Sequence, residues 1–305
     1  MSIEIVPAEA EQLLTWSALT QAIEAGHSLP KAEVADSFLY RGPDTLLNRA
    51  AWIDGLGQLV KCATIFPGNG ALGKGTINGG VTLYNDKTGE LEALVDFHLL
   101  TKWKTAGDSL LAAQKLARKD SRAILLVGSG TVASSMLSAY RSLFPQAEFT
   151  VWSRNPVSAK GFADAHSGVL VATDLPKAVA AADIICTATM SKEPVVQGEW
   201  ISPGTHLDLI GAYRPDMREV DDTALQNARL FVDSRATTIH HIGELMIPLA
   251  AGAITESHIS ADFYDLAKGA FQRRTETEIT IAKNGGGAHL DLMTAAYILK
   301  AWKNR

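Results

Sequence analysis

Residues 125–134 read LLVGSGTVAS, an apolar run that breaks into glycines and then into small helix-forming residues. The G-x-G-x-x-A pattern at 128–133 follows a strand-like segment and opens a helix-like one, the arrangement in which a parallel sheet meets a dinucleotide. Gly128 permits the tight turn, Gly130 lets a pyrophosphate approach the backbone, and Ala133 is small enough for helix and strand to pack closely. The helix start, with Thr131 and Val132 in its first turn, offers amide N–H groups to an anion. Such a hexapeptide is weak evidence alone, so its surroundings decide.

Those surroundings alternate. From residue 123 the chain runs AILLV, TVASSMLSAYRSLF, EFTVWS, NPVSAKGFADAH, VLVAT, PKAVAAA and DIICTAT, then HLDLIG, DDTALQNA and RLFVDS. Short, nearly continuous apolar strands separated by helical segments are what a parallel sheet covered on both faces requires. Residues 117–282 therefore read as a doubly wound α/β, Rossmann-type dinucleotide-binding domain. Its second strand ends in Trp152, Ser153 and Arg154 without an acid to bind a ribose 2′-hydroxyl. An arginine there suits a 2′-phosphate, which predicts NADPH as the preferred cofactor with NADH as the second option. The competing view makes Arg154 a solvated loop cation.

The segment before the glycine turn has another texture. LVKCATIFP, GGVTLYND and ELEALVDF read as strands, and the turn residues at 85–89, NDKTG, join the last two as a hairpin. KTAGDSLLAAQKLAR, from Lys104, then has helical spacing. LDLMTAAYILKAW near the C-terminus is too apolar to stand alone in water. Placed back against the N-terminal strands, it gives a discontinuous α+β domain of residues 1–116 and 283–305.

Among 305 residues, 47% are apolar and 20% charged, with a formal net charge of −5 and no basic block. That excludes a nucleic-acid surface and a polybasic membrane tether. The start of the chain lacks signal-peptide character, and no apolar run reaches the ~20 residues of a membrane span. Cys62 and Cys186, far apart in apolar runs, form neither a disulfide framework nor a zinc set, so a cytoplasmic setting is expected. His240 and His241 lack a third ligand at a recognisable spacing, so no metal is expected.

VKCATIFPGN, TLYNDKTGELEALVDFHLLTKWKTAGDSLLAAQKLAR, the glycine turn, ADIICTATMSKEPVV, LIGAYRPDMREVD and EITIAKNGGGAHLDL, in this order, resemble the ornithine cyclodeaminase/μ-crystallin family. The resemblance implies a homodimer-forming substrate domain interrupted by an NAD(P)-binding domain, and hydride transfer at a carbon bearing nitrogen and a carboxylate. The family's substrate lysine falls on Lys61, and its preceding arginine on Arg49, with Arg41 as rival. A guanidinium grips a carboxylate in two places, while an ammonium near an imine nitrogen can donate a proton. Where the family carries arginine-threonine-alanine-alanine this chain has Lys104, Thr105, Ala106 and Gly107. Lys104 keeps the cation and loses the fork. Thr105 is placed at a helix start, either reaching cofactor phosphate or serving as an N-terminal cap. Asp108 is either catalytic or the partner of Lys104 in an intrahelical ion pair.

By the same resemblance Thr187, Ala188, Thr189 and Gly211 border the cofactor, and Gly286 lies in a glycine run approaching nicotinamide and substrate. Asp291 either contacts substrate or anchors the last helix. Cyclodeaminases carry an aspartate at the position of Tyr213, and a phenol with an ordinary pKa near 10 is no carboxylate base at neutral pH. The sequence thus reads as an NAD(P)H-dependent reductase of a cyclic imine carboxylate. The leading example is 1-pyrroline-2-carboxylate to L-proline, with the six-membered homologue as a second substrate. Ornithine cyclodeaminase, an alanine or opine-type dehydrogenase, and a crystallin-like NADPH-binding protein are the rivals.

Overall fold

A computed structural model describes residues 3–305 and divides the chain into two compact units, Met1–Lys104 with Gly286–Arg305, and Thr105–Gly285. The first unit is built on a six-stranded mixed sheet. Its strands are β1 (Glu4–Val6), β2 (Glu33–Arg41), β3 (Asp44–Ile53), β4 (Gly57–Ile65), β5 (Ile77–Tyr84) and β6 (Leu91–Val95), in spatial order β1-β6-β5-β4-β3-β2. All neighbours are antiparallel except β1 and β6. β5 and β6 form the hairpin expected around residues 85–89, where Asn85 accepts from the amides of Lys87 and Thr88. Helix α1 (Trp16–Gly26) and the C-terminal helix pack together, the latter also lying on β3 and β4. Gly26 makes their crossing close, since a Cβ there would sit 2.5 Å from Met293 Cγ. The apolar C-terminal segment thereby buries Leu290, Leu292, Ala295 and Ile298 completely. Each large aliphatic side chain so removed from water contributes about 1.5–3 kcal/mol.

Helix α2 (Phe97–Leu116) begins in the first unit and ends in the second. It corrects the placement of Thr105 at a helix start. The helix opens eight residues earlier, where Asp96 accepts from Leu99 N at 2.8 Å, and Thr105 lies mid-helix, so it caps nothing.

The second unit holds an eight-stranded sheet, every pair parallel. In chain order its elements are β7 (Ala123–Val127), α3 (Thr131–Leu143), β8 (Glu148–Trp152), α4 (Pro156–Ala165), β9 (Val169–Val171), α5 (Leu175–Ala181) and β10 (Ile184–Thr187). Then come β11 (His206–Leu209), α6 (Asp222–Asn227), β12 (Ala228–Val232), α7 (Arg235–Thr238), α8 (Gly243–Ala250), β13 (Ile259–Ala261) and β14 (Ile279–Lys283). The final helix, Ala288–Lys303, is α9. The spatial order β13-β12-β14-β11-β10-β7-β8-β9 places β7 where the winding reverses, the point at which doubly wound sheets bind ligands. The central strands are buried on both faces, as in AILLV and IICT, which explains their nearly continuous apolar character. No helix among the described residues is long and apolar enough to cross a membrane.

Candidate active site

In the first unit the sheet register sets Asp36, Arg49 and Lys61 directly opposite one another on β2, β3 and β4. Their side chains therefore share one face. Two like charges facing each other across strands destabilise a sheet unless compensated. The compensation comes from α9: Asp291 Oδ1 accepts from Lys61 Nζ at 2.8 Å, and its Oδ2 lies 3.5 Å from Arg49 Nη1. Arg49 also donates to Asp36 at 2.6 Å and to the Gly286 carbonyl at 2.6 Å. Lys104 closes the group. A Cβ on Gly286, whose φ is +71°, would stand 2.5 Å from Lys104 Nζ, so only glycine leaves room for that ammonium.

Burial pushes the Lys61 pKa down, opposed by Asp291 and reinforced by Lys104, and the net shift is downward. For Asp291 burial works upward, but Lys61, Lys104 and Arg49 outweigh it and hold the carboxylate below its ordinary range. Burial also acts against Arg49, yet Asp291 and Asp36 raise its pKa overall. The Lys61 ammonium sits 5.0 Å from the Phe97 ring centroid. Three cations against two carboxylates leave one positive charge in excess in a largely buried setting. Such a group is suited to an anionic ligand whose reacting atom needs a proton.

Arg41 stands apart, exposed and paired with Asp44 at the β2–β3 turn. The geometry thus groups Arg49, Lys61 and Lys104 and leaves Arg41 outside. Asp108 lies on α2 in the second unit, fully buried. Tyr213 is about half exposed.

In the second unit Gly128 has φ +119°, and a Cβ there would meet the Ala188 carbonyl oxygen at 2.6 Å. The turn therefore has to be glycine. Gly130 has open space beside its Cα and serves as the N-cap of α3 without a side-chain cap, leaving the first amides of a 13-residue helix without intrahelical acceptors. Thr131 and Val132 are exposed, while Ala133 is buried against the sheet. These features fit a dinucleotide pyrophosphate. Ser153 is half-buried, and Arg154 is exposed with no hydrogen bond or ion pair among the described residues. Thr187 closes β10 fully buried, its Oγ1 without a hydrogen-bond partner among the described residues. Ala188, Thr189 and Gly211 follow the carboxyl ends of β10 and β11.

Sequence reading missed three participants. Asp36, on an exposed edge strand, carries no local signal. Glu219 and Glu244 are fully buried within the second unit although they sit in loop-like and helix-start sequence. Lys283, which closes β14, donates to the Leu209 and Ala212 carbonyls at 2.8 and 2.7 Å. His240 pairs with Glu256, and no cluster of three metal-ligating side chains occurs among the described residues.

The profile of the ornithine cyclodeaminase/mu-crystallin family matches residues 54–305. The Delta(1)-pyrroline-2-carboxylate reductase of Paracoccus denitrificans is 48% identical over 298 residues, covering 96% of this chain and 94% of that protein. The structure of Thermococcus litoralis Delta(1)-pyrroline-2-carboxylate reductase in complex with NADH and L-proline superposes with a TM-score of 0.90 at 28% identity, covering 99% and 98% of the two chains. An archaeal alanine dehydrogenase dimer with bound NAD also gives a TM-score of 0.90 at 28% identity, over 100% and 98%.

Proposed function

The chain belongs to the ornithine cyclodeaminase/mu-crystallin family, and on that premise we propose that it reduces a cyclic imine carboxylate with NAD(P)H. The substrate is 1-pyrroline-2-carboxylate, giving L-proline, with 1-piperideine-2-carboxylate to L-pipecolate as the second conversion. The observation that carries this reading is the near-full-length likeness to a reductase of that substrate at 48% identity. The buried surplus of positive charge around Lys61 supplies its chemistry.

A nicotinamide held in the second unit would supply the hydride for reduction of the C=N bond. Arg49 and Lys104 hold the substrate carboxylate, Arg49 through its planar fork and Lys104 as a point charge. Lys61 donates a proton to the ring nitrogen as the double bond is lost, and the resulting amine regains a proton from water after product leaves. Residues Gly128, Gly130, Thr131, Val132 and Ala133 hold the pyrophosphate, with Ser153 and Arg154 at the adenosine ribose. Thr187, Ala188, Thr189 and Gly211 border the other half. Tyr213 offers no carboxylate for the deamination step of a cyclodeaminase, which sets that rival aside.

The test is a panel of cyclic imino acids, and of α-keto acids with amines, assayed with NADH and NADPH and followed by loss of the reduced cofactor. Turnover of the five-membered imine is the expected result. Tight cofactor binding without turnover would instead make this a binding protein, and ammonia release from ornithine would restore the cyclodeaminase.

NADPH is the preferred cofactor. A hydrogen bond between charged groups contributes about 1.5–3 kcal/mol, so Arg154→Gln should weaken NADPH roughly ten- to a hundredfold and leave NADH unchanged. Equal effects on both cofactors would remove the assignment.

The molecule is a homodimer. β2 ends the sheet of the first unit and all nine of its residues are exposed, among them Val34, Phe38, Leu39 and Tyr40, an apolar edge of a length that isolated proteins blunt or cover. A second copy of this chain covers it. Sedimentation should show a dimer, which Leu39→Asp together with Tyr40→Glu converts to single chains. An unmodified protein sedimenting as one chain would contradict this.

A further inference from the structure

Glu219 accepts four hydrogen bonds inside the second unit. Its Oε1 receives Thr189 N at 2.7 Å and Thr189 Oγ1 at 2.8 Å, and its Oε2 receives Gly211 N at 2.7 Å and Ala212 N at 3.1 Å. One fully buried carboxylate thus ties together the loops that follow β10 and β11. The loops are also in backbone contact, because a Cβ on Gly211 would lie 2.1 Å from the Thr189 carbonyl oxygen. The β10 loop is pressed in turn against the glycine turn through Ala188 and Gly128.

Glu219 is itself held from behind. Its amide donates to Glu244 Oε2 at 2.7 Å and Val220 N donates to Glu244 Oε1 at 3.1 Å. Its carbonyl accepts from Val195 and Val196 at 2.9 and 3.0 Å. Lys283 grips the same β11 loop through the Leu209 and Ala212 carbonyls. Burying a charge is costly, and a fold that needed only to close two loops would do so with backbone bonds. A charge saturated by four donors instead gives the loops one rigid arrangement.

The sheet order says what that arrangement serves. β8, with Arg154 after it, lies on one side of β7, and β10 and β11 lie on the other. A dinucleotide whose pyrophosphate sits at the β7 turn and whose adenosine lies toward β8 must extend its remaining half over β10 and β11.

We propose that Glu219 is the positioning residue for the nicotinamide half of the dinucleotide, locking Thr189, Gly211 and Ala212 into the edge along which that half lies. This rests on the reading of the second unit as a dinucleotide site and is independent of which imine is reduced. Glu219→Gln places an amide N–H₂ against one of the two donor pairs. It should weaken NADH and NADPH on the order of tenfold while leaving AMP and adenosine 2′,5′-bisphosphate, which carry only the adenosine half, bound as before. Binding is read by competition in the absence of imine.

A weakening of the adenosine compounds by the same factor, or no weakening of the dinucleotides, overturns the proposal. Thr189→Val, which removes one of the four bonds and leaves the backbone ones, carries the same comparison with a smaller expected factor of about five should the first variant not fold. An unmodified protein that binds neither NADH nor NADPH overturns the dinucleotide reading and this proposal together. Failure of imine turnover with intact dinucleotide binding touches only the substrate assignment.

Discussion

Asp291→Asn is expected to lower imine reduction at pH 8 by about two to three orders of magnitude, within the range for loss of a positioned acid, and to regain part of the rate as the pH is brought toward 6. Burial already depresses the Lys61 pKa, and Asp291, 2.8 Å away, is the main force opposing it. With an amide there, Lys61 faces Lys104 and Arg49 without its counter-charge. Its pKa falls further. An ammonium with a lowered pKa is lost as pH rises through that value, so the deficit is largest on the alkaline side and shrinks on the acid side. Arg49 keeps Asp36 and the Gly286 carbonyl, so the carboxylate-binding cation stays in place.

Lys61→Met gives the control for this reading, with a loss of similar size at every pH and no recovery. The comparison also separates chemistry from folding. Breaking a buried ion pair costs about 3–5 kcal/mol of stability, which lowers the melting temperature of Asp291→Asn without shifting a pH–rate profile. A variant profile that superimposes on that of the unmodified enzyme after correction for folded protein would leave Asp291 as an anchor of α9 and nothing more.

What sequence alone disclosed follows from how local each cause is. The glycine turn and the parallel strands around it are set by neighbours in the chain, by the φ that Gly128 must adopt and by strands buried on both faces. The hairpin at residues 85–89 is similarly local, with Asn85 bonding the amides two and three residues on. The start of α2 was misplaced because ELEALVDF reads as a single strand running through Phe97. The strand in fact stops at Val95, and Asp96, whose carboxylate caps the helix, was the available signal. The charged group was half legible: the family resemblance points to Arg49 and Lys61, while their pairing depends on register across three strands and on α9, which arrives from more than 200 residues away. Glu219 lay beyond reach. Nothing in residues 217–221, MREVD, distinguishes a buried glutamate from a solvated one, because its burial comes from two loops and a helix closing over it.

A buried histidine gives the second large effect, on stability rather than rate. His206 lies on β11 inside the parallel sheet, fully buried, and burial followed by the charge of Arg273 drives its pKa from 6.5 down to about 3. Its Nδ1 lies 3.0 Å from Thr280 Oγ1. Nε2 has no partner among the described residues, and protonating it would add an unpaired N–H to an apolar interior. The folded state thus stays neutral while the unfolded chain takes up a proton below its ordinary value of about 6.5. Stability from this group is complete above that value and declines as pH falls toward 3, by about 1.4 kcal/mol per unit and on the order of 5 kcal/mol in all. Two buried carboxylates oppose it: Glu244, raised to about 7, and Asp208, raised to about 6, become easier to bury as the solution acidifies. Because the two carboxylates together outweigh the histidine, the unmodified protein should gain on the order of 2 kcal/mol as the pH falls from 7 to 4.5. His206→Gln should unmask the carboxylates and gain about 3 kcal/mol relative to the unmodified protein over that same interval, whatever constant penalty the substitution carries. Urea unfolding at several pH values measures the difference directly. A gap between the two proteins that does not change with pH would mean that His206 titrates alike in the folded and unfolded chains.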